Sequence, residues 1–297
     1  LGTGVFAMDV GSNNFPAFDS NFPVDFVLQK APSTTANWLV PSRLTGSSKY
    51  LKTNNADTEA SWAVFDFDSN VGWGKASTWA SATNNAWMWK RHAGFDVVTY
   101  TGDEVAGRQI KHSLGKPPEM IWVKLRDIDY AWQVGHKGLN GGTNPWNYSL
   151  ELNGNNSETS DAGAWSNTAP TSSVFSVGTT QTGNRDGAKL IAFLFASVDG
   201  ISKVGYYAGS GSSRTITTGF QPRFLFIKGI SNSRDWQVLD TTRGWGSGND
   251  NRLWFNLNTA QSGAFDVGAP TSTGFTIADG NNKWNASGEN YIYYAHA

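Results

Sequence analysis

Apolar positions along the chain fall in short runs broken by glycine, proline, asparagine and serine, and no segment holds a helical period over three turns. Residues 5–10, 26–28, 38–40 and 49–51 read as strands, and residues 65–68 alternate apolar with polar as a half-buried strand does. The same grammar continues through residues 96–102, 120–124, 131–134, 148–153 and 174–177. Residues 189–196 form the most apolar run in the chain, which predicts a central strand covered on both faces. After residue 200 the order repeats, with residues 203–209, 252–256, 270–277 and 291–295.

One pattern recurs three times. Proline opens an apolar run, lysine closes it, and tryptophan follows eight positions after the lysine: Pro23, Lys30 and Trp38; Pro117, Lys124 and Trp132; Pro222, Lys228 and Trp236. The chain is therefore read as three tandem modules, residues 1–92, 93–199 and 200–297, each near the common size of a domain. Several short strands per module at regular spacing predict an all-β fold of three antiparallel β-sandwich-like modules. The junctions near residues 92–94 and 198–200 are only a few residues long, so the modules are expected to pack against one another rather than hang loosely.

Composition narrows the function classes. The formal net charge is −1 and no basic cluster exceeds Lys90-Arg91-His92, so the footprint of a nucleic-acid binder is lacking. No apolar run approaches the ~18 residues of a membrane helix, and no membrane insertion is expected. The chain has no cysteine, which excludes disulfides, thiolate metal sites and cysteine nucleophiles. It opens on Leu1 rather than Met, and is expected to be a processed or trimmed product.

The landmark lysines 30, 124 and 228 are expected to cap strand ends as solvated charges, and Trp38, Trp132 and Trp236 to serve core or inter-module packing. A ligand site need occur only once, so tryptophans outside the repeat pattern are the ligand-binding candidates: Trp79, Trp146, Trp165, Trp245 and Trp284, each within two residues of glycine, asparagine or serine. Asp66-Phe67-Asp68-Ser69-Asn70 spaces oxygen side chains as a calcium loop does. It has Val71 where the loop glycine belongs and Ser77 where the bidentate acid belongs, so a structural role is expected. The four histidines share no metal-ligand spacing, and no nucleophile-elbow sequence appears. No catalytic residue, metal or cofactor is assigned, and the chain is not expected to be an enzyme.

These landmarks resemble a repeat module of tail-fibre and related structural proteins of bacteriophages, especially marine ones. That repeat reads Gly-Phe-x-Pro-Asp-Phe-Val-x-Ile-Lys, followed by an Asp-Ser/Thr-x-Arg-Gly element, a Tyr-Leu-x-x-Asn element and a Phe-x-Ser-x-Gly-Phe block. Asp240-Thr241-Thr242-Arg243-Gly244, Tyr50-Leu51-Lys52-Thr53-Asn54 and Phe67-Asp68-Ser69-Asn70-Val71-Gly72 carry the likeness. Pro41-Ser42-Arg43-Leu44 and Gly135-His136-Lys137-Gly138 are degenerate forms of the second element. The resemblance covers roughly residues 20–297. It implies a virion structural protein on the outside of the particle, a tail-fibre component that attaches to the host surface. A homo-oligomer, for which a trimer is one form although no heptad or β-helical repeat demands it, other virion proteins and a host surface polysaccharide are the partners implied. A decoration or scaffold protein with no ligand is the alternative, and a carbohydrate-active enzyme the remote one.

Overall fold

In the computed structural model, residues 2–75, 83–91 and 93–297 are described. They form an almost entirely β structure whose only α-helical turns are the short Ala162–Trp165 and Gln181–Asn184.

The run at residues 189–196 behaves as its composition demands. Lys189–Phe195 pairs antiparallel with Met120–Leu125 on one side and with Phe95–Thr101 on the other. With both edges paired, every side chain after Lys189 is buried. Gln133–His136, Tyr148–Glu151 and Thr159–Ser160 extend this sheet to six strands. The third module builds the same order from Ser202–Ala208, Asn290–His296, Phe224–Gly229, Gln237–Asp240, Asp250–Trp254 and Ser262–Phe265. In the first module Asn85–Trp89 lies between Phe6–Val10 and Phe26–Lys30. Val40–Pro41, Lys49–Leu51 and Ala60–Ser61 continue outward, tied in through the Gln29–Leu39 bridge.

A smaller sheet accompanies each large one: Phe18–Asp19 with Gly72–Trp73, Arg108–Lys111 with Val174–Val177, and Arg214–Thr217 with Gly274–Ile277 and Pro270–Thr271. Between the two sheets of each module lies a separate apolar core, around Phe65 and Trp73, around Phe175 and Trp165, and around Phe275 and Trp284. The opposite faces of the three large sheets meet in one shared core, where Trp38, Trp132 and Trp236 pack with Trp87, Phe193 and Phe255. Period-2 alternation accounts for this arrangement: each central strand sends successive side chains to the private core and to the shared one.

The modules are joined by the same pair of backbone bonds three times. The N–H of Tyr130 donates to Ala56 (3.2 Å) and that of Glu59 to Arg126 (2.7 Å). The N–H of Arg234 donates to Asn155 (2.8 Å) and that of Glu158 to Ile230 (2.9 Å). The N–H of Ala36 donates to Asn258 (2.8 Å) and that of Gln261 to Pro32 (2.7 Å). In every seam the segment just after a landmark lysine meets the segment just after a neighbour's Leu-x-x-Asn element. A head-to-tail contact repeated with a rotation that closes produces a ring, and here the third module returns to the first.

Candidate functional site

The landmark residues sit in the seams. Trp38 donates its indole N–H to the Trp254 carbonyl at 2.7 Å, Trp132 to Lys52 at 2.7 Å and Trp236 to Glu151 at 3.0 Å. Each acceptor is the residue after the leucine of a Leu-x-x-Asn element. The asparagine of the tryptophan's own module accepts that tryptophan's backbone N–H: Asn54 at 2.9 Å, Asn153 at 2.8 Å and Asn256 at 3.1 Å. The tryptophans thus serve packing between modules, and their indole N–H groups fix its register.

The lysines differ from the solvated strand caps expected of them. Lys30, Lys124 and Lys228 are fully buried. The Lys228 ammonium donates to the carbonyls of Asn155 (3.3 Å), Asn156 (2.9 Å) and Gly229 (2.6 Å). Lys30 donates to Ala36 and, at 3.0 Å, to Asn258 of the third module. Lys124 donates to Leu125 at 2.7 Å, with Asp57 of the first module among the charges acting on it. Burial lowers the three amines to about 8, about 8 and about 7 in chain order. Carbonyl oxygens take the place of water around them, a role a sequence pattern of "apolar run then lysine" does not distinguish from an exposed edge charge.

The loop tryptophans proposed as ligand platforms are placed as follows. Trp165 and Trp284 are fully buried, and Trp245 and Trp146 nearly so. Trp146 and Trp165 pack edge to face, ring centroids 5.7 Å apart, over Gly135, where a Cβ would come within 2.6 Å of the Trp146 ring. Trp245 donates to the Gly268 carbonyl at 2.9 Å and Trp284 to the Asp279 carboxylate at 3.0 Å. The two module-two indoles and the two module-three indoles belong to separate cores and form no common platform. Trp79 lies outside the described residues. The calcium-like stretch forms a turn in which the Asp66 carboxylate accepts the Asp68 N–H at 2.8 Å. Among the described residues no group of three acidic or histidine side chains is placed to hold a metal ion. No helix of the described residues is long and apolar enough to cross a membrane.

A recess of about 200 Å3 opens on the large sheet of the second module, among Trp132, Gln133, Ser149, Glu151, Asp161 and Thr182. Gln133 and Glu151 are cross-strand partners, as are Ser149 and Thr159. Gln133 is buried, and its Oε1 accepts from the hydroxyls of Thr180 (2.8 Å) and Thr182 (2.6 Å). Asp161 accepts the Gly163 N–H at 3.0 Å and the Ser149 hydroxyl at 3.4 Å. Glu151 projects to solvent. The walls therefore offer hydroxyls and two carboxylates, and no basic side chain is among the residues that line them.

Neither curated proteins nor solved structures provide a match to this chain. A family match does span nearly all of it, from residue 10 to residue 297, and the chain belongs to that family, described as a domain of unknown function, DUF7483.

Proposed function

We propose that this protein is a structural component of the exterior of a bacteriophage particle, part of a tail fibre that contacts the host surface. The observation that supports this reading is that every copy of the repeated lysine–tryptophan element is engaged in holding one module to the next. The most regular residues of the chain thus build a rigid body rather than a reactive centre. In this reading, polar loops on that body make weak contacts with a surface polysaccharide, and several bodies on one particle convert weak contacts into avidity.

The test is binding of the purified, labelled chain to intact host bacteria and to their extracted surface polysaccharide. Saturable binding that free polysaccharide competes away is the expected result. A folded chain that ignores the cells but attaches to phage particles supports the decoration role instead. Release of sugar fragments from the polysaccharide contradicts the non-enzymatic reading.

A further inference from the structure

The recess of the second module has a filled counterpart in the third. Strand register sets the correspondence: Gln133 pairs with Glu151 as Gln237 pairs with Trp254, and Ser149 pairs with Thr159 as Arg252 pairs with Ser262. A second bond fixes the adjoining turn, since Tyr100 donates to the Gly183 carbonyl (2.6 Å) as Tyr207 donates to that of Trp284 (2.5 Å). Where the third module has Arg252, Trp254 and Trp284, the second therefore has Ser149, Glu151 and Gly183.

In the third module these large side chains close the site. Arg252 is 2% exposed, although a guanidinium is rarely buried without a carboxylate. It donates to the Gln237 Oε1 at 3.0 Å, and its carbon centre lies 5.4 Å from the Trp254 ring, 4.8 Å from Phe265 and 5.3 Å from Trp284. In the second module the guanidinium and both indoles are missing. What remains is the glutamine, the open volume and the carboxylates of Glu151 and Asp161. Gly183 keeps the space clear, because a Cβ there would stand 2.6 Å from the Gln133 amide.

We propose that the second-module recess is a binding site for a guanidinium group, an arginine side chain presented by a partner protein, and that Arg252 occupies the equivalent site of the third module from within. The recess has the size and the hydrogen-bond acceptors for that group, and its two carboxylates supply the attraction that the third module's aromatic rings and the charge of Asp250 supply to Arg252. Gln133 holds the same place as Gln237, and its Oε1 accepts from the hydroxyls of Thr180 and Thr182, which rotate away to free it for the entering donor. This inference stands apart from the phage reading and does not depend on it.

The experiment is a titration of the full chain with Nα-acetyl-arginine amide, followed by amide chemical shifts of residues 149–151 and 182–183. The citrulline analogue, equal in shape but uncharged, and the lysine analogue serve as comparators, with glucosamine as a cationic sugar. Saturable shifts with arginine are expected, at least about tenfold tighter than with citrulline, the scale of one charge-assisted hydrogen bond. Glu151→Gln and Asp161→Asn should each weaken binding by about tenfold, and Asn at 161 retains the capping oxygen for the Gly163 N–H. Ser149→Arg should abolish binding by filling the recess as Arg252 does. Equal binding of citrulline, equal or tighter binding of lysine or glucosamine, or no saturable shift in a chain with an unaltered spectrum would overturn the proposal.

Discussion

The indole of Trp38 donates its N–H to the backbone carbonyl of Trp254 at 2.7 Å, across 216 residues of sequence. This bond joins the first module to the third, so the ends of the repeat array meet. In an open array each repeat contacts only its neighbours in sequence and the terminal repeats carry unfilled faces. Here the terminal modules use the same seam as the others, and one shared core draws on all three.

The seam bonds give a direct stability prediction. Trp236→Phe keeps most of the apolar surface but leaves the Glu151 carbonyl without its 3.0 Å indole donor. A loss of ~0.5–1.5 kcal/mol from the missing hydrogen bond is expected in chemical denaturation. Trp122→Phe is the comparison: Trp122 is equally buried, but its indole nitrogen has no partner, so no hydrogen bond is lost. Equal losses for the two variants would mean that the seam bonds contribute nothing beyond packing.

Lys228→Met tests the carbonyl cage. The substitution keeps the length of the chain but leaves the carbonyls of Asn155, Asn156 and Gly229 without the ammonium. Unsatisfied buried acceptors cost ~1–3 kcal/mol each at most, offset in part by relief of the buried charge. The expected outcome is a lower melting temperature together with faster amide exchange at residues 155–158, where the second module meets the third. Unchanged exchange in that segment would show that the lysine does not hold the seam.

The dependence on pH follows from buried bases. His136 and His296 are fully enclosed, and burial lowers both to about 3. His136 also has Lys137 and Glu119 near it, and His296 has Arg223. In the unfolded chain a histidine titrates near 6.5. Between those values the unfolded state binds more protons, so stability falls as pH drops through that window, by about 1.4 kcal/mol per pH unit for each histidine. The buried lysines act in the same direction at the other end of the scale. Their amines are lowered from 10.5 to about 8, about 8 and about 7, so the unfolded chain holds more protons above about 8 and stability rises with pH until about 10.5. Melting temperatures across pH are expected to trace both limbs, with the acid limb flattened in His136→Gln and His296→Gln. An acid limb identical in these variants would contradict the assignment.

Arg252→Ala provides the reciprocal of the recess. Removing the guanidinium from among Trp254, Phe265 and Trp284 leaves a cavity, and a loss of ~2–4 kcal/mol is expected from the packing alone. Added guanidinium compounds at low concentration should restore part of the melting temperature. No rescue, with the fold retained, would argue that the site does not recognise the group.

Much of the strand content was legible in the sequence because half-buried and fully buried strands leave different signatures. The alternation of residues 65–68 is an exception, since they lie in a turn, fixed by the Asp66–Asp68 bond, rather than in a strand. The landmark spacing was visible, but its meaning was not: the buried ammonium groups of Lys30 and Lys228 are met by carbonyls of Asn258 and of Asn155 and Asn156, contributed by segments distant in sequence. A related device hid behind unlike residues. Ser42, His136 and Asp240, each four positions after a landmark tryptophan, accept a backbone N–H from Leu44, Gly138 and Arg243 respectively. The serine and the aspartate are ordinary cap residues, but the histidine does not look like one in sequence. The recess was missed because its signal is a difference between copies, serine for arginine and glycine for tryptophan, and not a motif within one copy. Trp284 drew attention as a ligand platform, yet it fills the space that Gly183 leaves open.

The three modules close into a ring through three equivalent seams. The most direct test is a protease site placed at the exposed Asp199-Gly200 turn, with the chain nicked after folding. The seams between the second and third and between the third and first modules should hold the fragments together. The nicked protein is then expected to elute as a single species at the size of the intact 32.2 kDa chain, with its fragments separating only in denaturant. Fragments that part under native conditions would contradict the ring.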